Sequence, residues 1–287
     1  MSDADCVELL RLALPRLGLR WEGFRRVRGQ VCKRIERRRR ELGLDDLAAY
    51  RAFLESSPEE WGVLDGLCRV TISRFRRDRA VWDALEQEVL PALATGALAA
   101  GRRTLRAWSV GCASGEEAYS LTLSWRFVVG PRFPDLRLRV LATDVDEIVL
   151  ARARQACYPP GSLRELPPSW QAEAFEQRDG AFRLRRPWQQ SVRFLSHDLR
   201  DDPPAGRFDL VLCRNLAFTY FDAERQRAAC ARLAASLRSG GALVVGIHER
   251  LPAGAEGFQP WPGVRCVHRR VTCASPRSHG EGCGCDL

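Results

Sequence analysis

The stretch LRAWSVGCASGEEAYSLTL, residues 105–123, holds the residues best suited to chemistry. An apolar run stops at Gly111, a loop of small residues follows, and Glu116 and Glu117 open what reads as a helix. Gly111 and Gly115 carry no Cβ, so the backbone there can come close to a ligand. Bare amides at a helix start would suit a phosphate. Two acids at that point repel a phosphate and suit a cation. No lysine followed by Ser or Thr comes after the glycines, which excludes a phosphate-binding loop of the Walker type. The acids also have a plainer reading, since negative side chains complement the dipole at any helix start.

Further candidates sit where later apolar runs end. VLATDVD places Asp144 after a second run, where an acid grips a ribose diol in nucleotide-binding sheets. Asp146 suits the cap of the next helix. FLSHDL puts His197 and Asp198 after a third run, in position to read an adenine edge. His197 has no second ligand at metal-binding spacing, so no metal is expected. LVLCRNLAFTYFD ends a fourth run with Arg214 and Asn215, and Tyr220 and Phe221 follow. A cationic ligand with a ribose, an adenine and no phosphate is S-adenosylmethionine.

These residues need elements to hold them. Residues 1–93 read as helical: DCVELLRLALPRLGLRW, VCKRIERRRRELGL, DDLAAYRAFLESS and AVWDALEQEVLPAL repeat apolar residues at three-to-four spacing. The Gly-rich ATGALAAGRRT, residues 94–104, reads as a linker. From 105 to 272, short apolar runs alternate with helical segments, which argues for a parallel sheet with helices on both faces. VRCVHRRVTC reads as an alternating edge strand, and 273–287 form a Cys/Gly-rich tail.

Composition bounds the partners. The chain has 287 residues, 45% of them hydrophobic, so it can bury a substantial core. No apolar run approaches the roughly 20 residues of a membrane span. The N-terminus is acidic and then amphipathic, unlike a secretory signal, and a cytoplasmic monomer is expected. A net charge of +9, carried mostly by arginine, points to an acidic partner. Arg26, Arg28, Lys33, Arg34 and Arg37 to Arg40 crowd one helical stretch, as a docking surface for an acidic helix or as a solvated face balanced by Glu36 and Glu41. That stretch lacks the interleaved aromatics of a nucleic-acid surface. Cys6, Cys32, Cys68, Cys112, Cys157, Cys213, Cys230 and Cys266 are scattered and read as reduced thiols, mostly buried. Cys273, His279, Cys283 and Cys285 cluster in the tail. They fit a soft-metal or redox role, or a tail with incidental cysteines.

The chain resembles the chemotaxis-receptor glutamate methyltransferases, the CheR family. WSVGCASGEEAYSLTL is similar to the family's W-S-A-G-C-(A/S)-T-G-E-E-P-Y-S-L. ATDVDEIVLARARQACY looks like A-T-D-I-D-x-x-V-L-x-x-A-R-x-G-x-Y, and FDLVLCRNLAFTYFD looks like F-D-x-I-F-C-R-N-V-x-I-Y-F-D. CRVTISRFRRD is a weaker match to L-T-x-N-x-T-x-F-F-R-(D/E). The resemblance implies an α/β fold: a Rossmann-like class I methyltransferase domain preceded by a small all-α domain. It also implies S-adenosylmethionine as cofactor and methyl-ester formation on glutamate-rich, receptor-like helices.

Carried over by position, Thr71 stands where the family has Asn, Ser73 where it has Thr, and Arg77 matches its Arg. These three would line the mouth of the cofactor or substrate site. Glu116 or Glu117 would face the methionine part and Asp144 the ribose. Asp198 and Leu199 stand where the family often has Asn-Leu, and Arg214 and Asn215 match its Arg-Asn beside the cofactor. Tyr220 matches the tyrosine near the transferred methyl, with a one-residue insertion placed before it. Arg77 and Tyr220 are the expected catalytic residues. The departures Thr71, Arg76 for a second Phe, Ala118 for Pro and the longer LAFTYF loop are expected at the active-site rim. The segment between Tyr158 and Val192 is short for the family's small β subdomain, which in some members docks a receptor tail. Two other readings stay open: a non-catalytic adaptor that binds the cofactor or its demethylated product, and a methyltransferase for a thiol, a small molecule or RNA.

Overall fold

The computed structural model describes residues 2–271, so the cysteines and His279 of the tail lie outside the described residues. The chain opens with the helix Asp3–Arg16. Its first turn is closed by a capping box, in which the Ser2 hydroxyl accepts from the Asp5 amide and the Asp5 carboxylate accepts from the Ser2 amide. Leu9, Leu10, Ala13 and Leu14 form its buried stripe. The helices Arg28–Glu41, Leu47–Ser56 and Pro58–Leu67 follow.

Two expectations are corrected in this region. Cys6 and Cys32 were expected as free thiols but form a disulfide between the first helix and Arg28–Glu41, with their Cα atoms 5.9 Å apart. Each sits on its own helix's buried stripe, and periodicity within one helix carries no information about the residue facing it across the packing interface. Among the described residues Cys68, Cys112, Cys213, Cys230 and Cys266 are buried and free as expected, and Cys157 is free but exposed. The expected linker at 94–104 is largely helix. Leu90–Ala99 runs through it and buries Leu93, Ala94 and Ala97. Alanine-rich sequence favours helix, and the turn comes only at Gly101, whose φ of 69° closes the C-terminus as the Arg102 amide bonds back to the Ala97 carbonyl.

The described residues also form ten strands: β1 Thr104–Val110, β2 Arg137–Asp144, β3 Cys157–Tyr158, β4 Phe175–Arg178, β5 Ala181–Leu184, β6 Val192–Ser196, β7 Phe208–Leu212, β8 Leu237–Val244, β9 Phe258–Trp261 and β10 Val264–Arg270. Seven form one sheet in the order β6-β2-β1-β7-β8-β10-β9. β6, β2, β1, β7 and β8 are mutually parallel, and β10 is antiparallel to both its neighbours. The chain steps outward from β1 to β2 and β6, then returns to place β7 on β1's other side. The strand order therefore reverses at β1, and this reversal opens a crevice beyond its carboxyl end. The α/β architecture agrees with the sequence. The edge position expected for VRCVHRRVTC does not, because β9 covers β10 and forms the edge itself. Alternating burial, as at Val264, Arg265 and Cys266, is common to an edge strand and its neighbour, so it could not decide the order. The short segment between Tyr158 and Val192 holds a compact antiparallel sheet, β3-β5-β4. Its apolar side packs with Phe75, Tyr119 and Leu123 in a cluster separate from the main core. Among the described residues no helix is long and apolar enough to cross a membrane.

Arg76 belongs to this framework and not to the active-site rim where it was expected. Its φ of 48° turns the chain just after Phe75. The guanidinium is buried, bonds to Glu86, donates to Asp83 at 2.9 Å and lies over the Trp170 ring at 5.0 Å. Ala118 is likewise fully buried. Removing one partner of a buried ion pair strands the other in low dielectric. Arg76→Ala should therefore lower unfolding free energy by about 3–5 kcal/mol in urea titration, while cofactor affinity of the folded fraction stays unchanged.

Candidate active site

A cleft lies at the carboxyl ends of β1, β2, β6 and β7, roofed by residues 68–74 and Arg77 and walled on one side by Leu19, Phe24 and Val27. Gly111 opens its floor. At φ 66°, a Cβ there would come within 2.6 Å of a Leu216 methyl. Gly115 starts the helix Glu116–Ser124 at φ 89° but does not line the cleft. Its missing side chain lets the loop pack on Ala153 and Phe194, each 3.0 Å from where a Cβ would stand. Its expected ligand role is therefore corrected to one of close packing.

Asp144 ends β2 on the cleft wall, as expected. Its two oxygens accept from the Asp146 amide at 3.0 Å and the Ala113 amide at 2.9 Å. Burial pushes its carboxyl above the ordinary range, against the pull of those amides. Asp146 caps the helix Glu147–Gln155, accepting from the Ile148 amide at 2.8 Å.

The two glutamates separate. Successive helical residues differ by about 100° around the axis, so adjacent side chains cannot share one wall. Glu117 faces the cleft, accepts from the Ser109 hydroxyl at 2.7 Å and lies 3.4 Å from Arg214. Burial raises its pKa despite the nearby guanidinium. Glu116 turns to the other side, where it accepts from the Ser162 hydroxyl at 3.3 Å and leaves Oε2 without a partner. Of the two, Glu117 lines the cleft, while Glu116 lies behind it beside Ser162 and the roof residue Ser73.

Arg214, only 2% exposed in its side chain, donates through Nη2 to Asp78 and to the Arg77 carbonyl, both at 2.8 Å. It ties β7 to the roof and sets a positive charge between Asp78 and Glu117. Thr71, Ser73 and Arg77 line the roof as expected. Arg77 Nη1 donates to the Ile72 carbonyl at 3.1 Å. Asp198 also reaches the cleft, but Arg200 takes both its oxygens, Oδ1 from Nε at 3.0 Å and Oδ2 from Nη2 at 2.6 Å, and bridges on to Asp65. Burial raises the Asp198 pKa, yet the Arg200 bonds outweigh it and hold the carboxyl below its ordinary value. Reading an adenine edge with Asp198 would compete with this ion pair. Leu199 and His197, whose Nδ1 is buried without a partner, complete that end of the wall.

Asn215 sits at φ 54° and its amide donates to Glu249 at 2.8 Å. Glu249 is the residue that sequence reading missed. Its buried carboxylate also accepts from the Gly246 amide at 2.6 Å and the Thr219 hydroxyl at 2.5 Å. Nothing local in IHERL marks it, because only the pairing of β7 with β8 brings that loop to Asn215. Tyr220 closes the short helix Ala217–Tyr220, its ring 5.0 Å from Phe24. Burial raises its pKa, and nearby Arg77 partly offsets this.

Part of the charge of the arginine-rich helix is paired within the chain. Arg28 pairs with Asp3, Arg38 with Glu60, Arg39 and Arg40 with Glu36, and Arg34 bonds to the Leu67 carbonyl. Among the described residues Arg26, Lys33 and Arg34 of this group have no acidic partner.

The cleft suits S-adenosylmethionine. Gly111 admits a ligand against the backbone, Glu117 and Asp144 provide acids at two separate points, and Val110, Val145 and Leu199 add apolar wall. Both acids titrate above their ordinary range, and a cation favours their ionised forms. Cofactor affinity should therefore fall on acidification, starting above the ordinary carboxylate range of about 4. In calorimetry from pH 7.5 to 5, Glu117→Gln should weaken binding at pH 7.5 and flatten this dependence.

The sequence model of the CheR methyltransferase SAM-binding domain matches residues 71–265. A chemotaxis protein methyltransferase of Listeria monocytogenes is 38% identical over 185 residues, covering 64% of this chain and 67% of that protein. A probable chemotaxis protein methyltransferase of Rhizobium etli is 30% identical over 233 residues, covering 79% and 85%. The chemotaxis protein methyltransferase of Salmonella typhimurium is 29% identical over 259 residues, covering 87% and 84%. With the family match spanning the roof from Thr71 on, the loop after β1 and every strand end of the cleft, the chain belongs to the CheR family and is an S-adenosylmethionine-dependent methyltransferase.

Proposed function

We propose that the chain forms methyl esters on glutamate side chains of acidic, chemoreceptor-like helices, acting as a cytoplasmic monomer. The observation that carries this reading is Arg77, a cation on the roof of the same cleft that Tyr220 and Glu117 line. The relatives' description as chemotaxis protein methyltransferases supports it. In this reading residues 1–93 form the helical unit that supplies the outer wall, and 105–272 the unit that binds the cofactor.

When bound, S-adenosylmethionine supplies an activated methyl group on a positively charged sulfur. Glu117 and Asp144 hold and orient it through its cationic and ribose ends. Arg77 binds the acceptor carboxylate by a charge-assisted hydrogen bond, and Tyr220 orients that carboxylate toward the methyl. A glutamate is ionised at neutral pH, with a reference pKa of about 4.3, so the acceptor needs no general base. The roofed cleft limits water and fixes the approach, which is where a transfer without acid–base steps gains its rate. The adaptor alternative drew on Thr71 and Arg76 as altered rim residues; Arg76 is buried away from the cleft, and Thr71 lines its roof.

Incubation with radiolabelled S-adenosylmethionine and a glutamate-rich receptor-helix peptide should give protein-bound label that alkali releases as methanol. Alkali-stable label would overturn the ester assignment. Arg77→Ala should lower kcat about ten- to hundredfold, the worth of one hydrogen bond to a charged group, with cofactor Kd changed about threefold or less. Unchanged turnover would remove Arg77 from the mechanism.

A further inference from the structure

We propose that Arg20 and Glu249 form a two-sided clamp that positions Tyr220 for methyl transfer, so that the N-terminal segment completes the catalytic site. The inference rests on the reading of Tyr220 as a group that orients the acceptor.

Tyr220 ends a helix of only four residues, Ala217–Tyr220. A single turn is unstable by itself, because it fixes several dihedrals for very few hydrogen bonds. Its last carbonyls also lack partners within the helix. Both defects are met from outside. Arg20, 199 residues away in sequence, donates from Nε to the Thr219 carbonyl at 2.9 Å and from Nη2 to the Phe218 carbonyl. The Arg20 amide donates to the Tyr220 carbonyl at 2.8 Å. One residue thus takes all three terminal carbonyls.

The opposite side is held by Glu249. One oxygen accepts from the Thr219 hydroxyl, and the other from the amides of Asn215 and Gly246. Thr219 is gripped from both sides, by its carbonyl and by its hydroxyl. The approach of the N-terminal segment leaves no slack: a Cβ on Gly23 would lie 2.3 Å from the Thr219 carbonyl oxygen. Leu19 bridges Phe221, the Asp222 amide donates to the Gly18 carbonyl at 3.0 Å, and the Phe24 ring rests on Tyr220. Neither Arg20 nor Glu249 needs to touch a substrate. Each acts through the turn that carries the tyrosine.

The test compares Arg20→Ala, Arg20→Lys, Glu249→Ala, Glu249→Gln and Tyr220→Phe, together with the double variant Arg20→Ala/Tyr220→Phe. The full chain is assayed with S-adenosylmethionine and the glutamate-rich peptide, and adenosylhomocysteine affinity is measured alongside. The alanine variants should lose about tenfold or more in kcat with Kd changed about threefold or less. Lysine cannot fork to two carbonyls and should recover only part of the loss. Glutamine should recover most of it, because its oxygen still serves the two amides while Thr219 turns to accept from its NH2. The double variant should be no worse than the poorer single one, as expected for residues acting through one group.

Tyr220 gives a readout independent of turnover. In NMR of ring-labelled tyrosine, with the signal assigned by Tyr220→Phe, its raised pKa should fall toward the ordinary value of about 10 in Arg20→Ala. Additive losses in the double variant, wild-type kcat in the alanine variants, or an unmoved Tyr220 titration would overturn the clamp. Wild-type kcat in Tyr220→Phe would overturn both the clamp and the role assigned to the tyrosine. Alkali-stable label with the variant pattern intact would overturn only the ester reading. If an alanine variant fails to fold, the lysine and glutamine variants carry the comparison.

Discussion

The buried guanidinium of Arg214 is the interaction on which the site depends. It holds Asp78 and the Arg77 carbonyl on one side and faces Glu117 on the other. Three segments distant in sequence, the roof, the helix after β1 and the end of β7, meet at this one cation. Without it, Asp78 would lose its ion pair and Glu117 its nearest countercharge in a poorly solvated space, a costly arrangement. With it, Glu117 stays beside the cleft at a cost that the protein can meet. That residual cost appears as the raised Glu117 pKa.

The acids of the cleft divide by environment. Glu117 and Asp144 are poorly solvated and have their charge only partly compensated, which leaves them with an unmet demand for positive charge. Asp198 has that demand filled by Arg200. A cationic ligand is therefore attracted to the first two and finds little to gain at the third. The same accounting applies to the arginines. The net charge of +9 remains after every acid is counted, and Arg34, Arg38, Arg39, Arg76, Arg200 and Arg214 are at the same time engaged with acids or carbonyls within the chain. Arginine here acts largely as an internal tie, a role its planar fork of donors suits better than lysine's point charge.

The N-terminal helices and the sheet share one hydrophobic core. Contact between them is also polar and specific at the cleft. Asp65 reaches Arg200, and Arg20 reaches the turn that carries Tyr220. The outer wall of the cleft, Leu19, Phe24 and Val27, is thereby built from residues that precede β1 at Thr104 by 77 to 85 positions.

The sequence by itself determined the alternation of strands and helices, the loop after β1, the acid at the end of β2 and the Arg-Asn pair after β7. Each of these is set by local pattern: apolar period, glycine where the backbone must turn, and a polar residue where a strand ends. Tertiary structure alone decided which of Glu116 and Glu117 faces the cleft, that Arg76 lies in the core, that Cys6 meets Cys32, and that β9 rather than β10 is the edge. It also brought Arg20 and Glu249 to Tyr220 from opposite ends of the chain. The physical reason is the same in each case. A side chain's direction along its own element follows from local geometry, but its partner is set by how distant elements pack, and no local pattern encodes that.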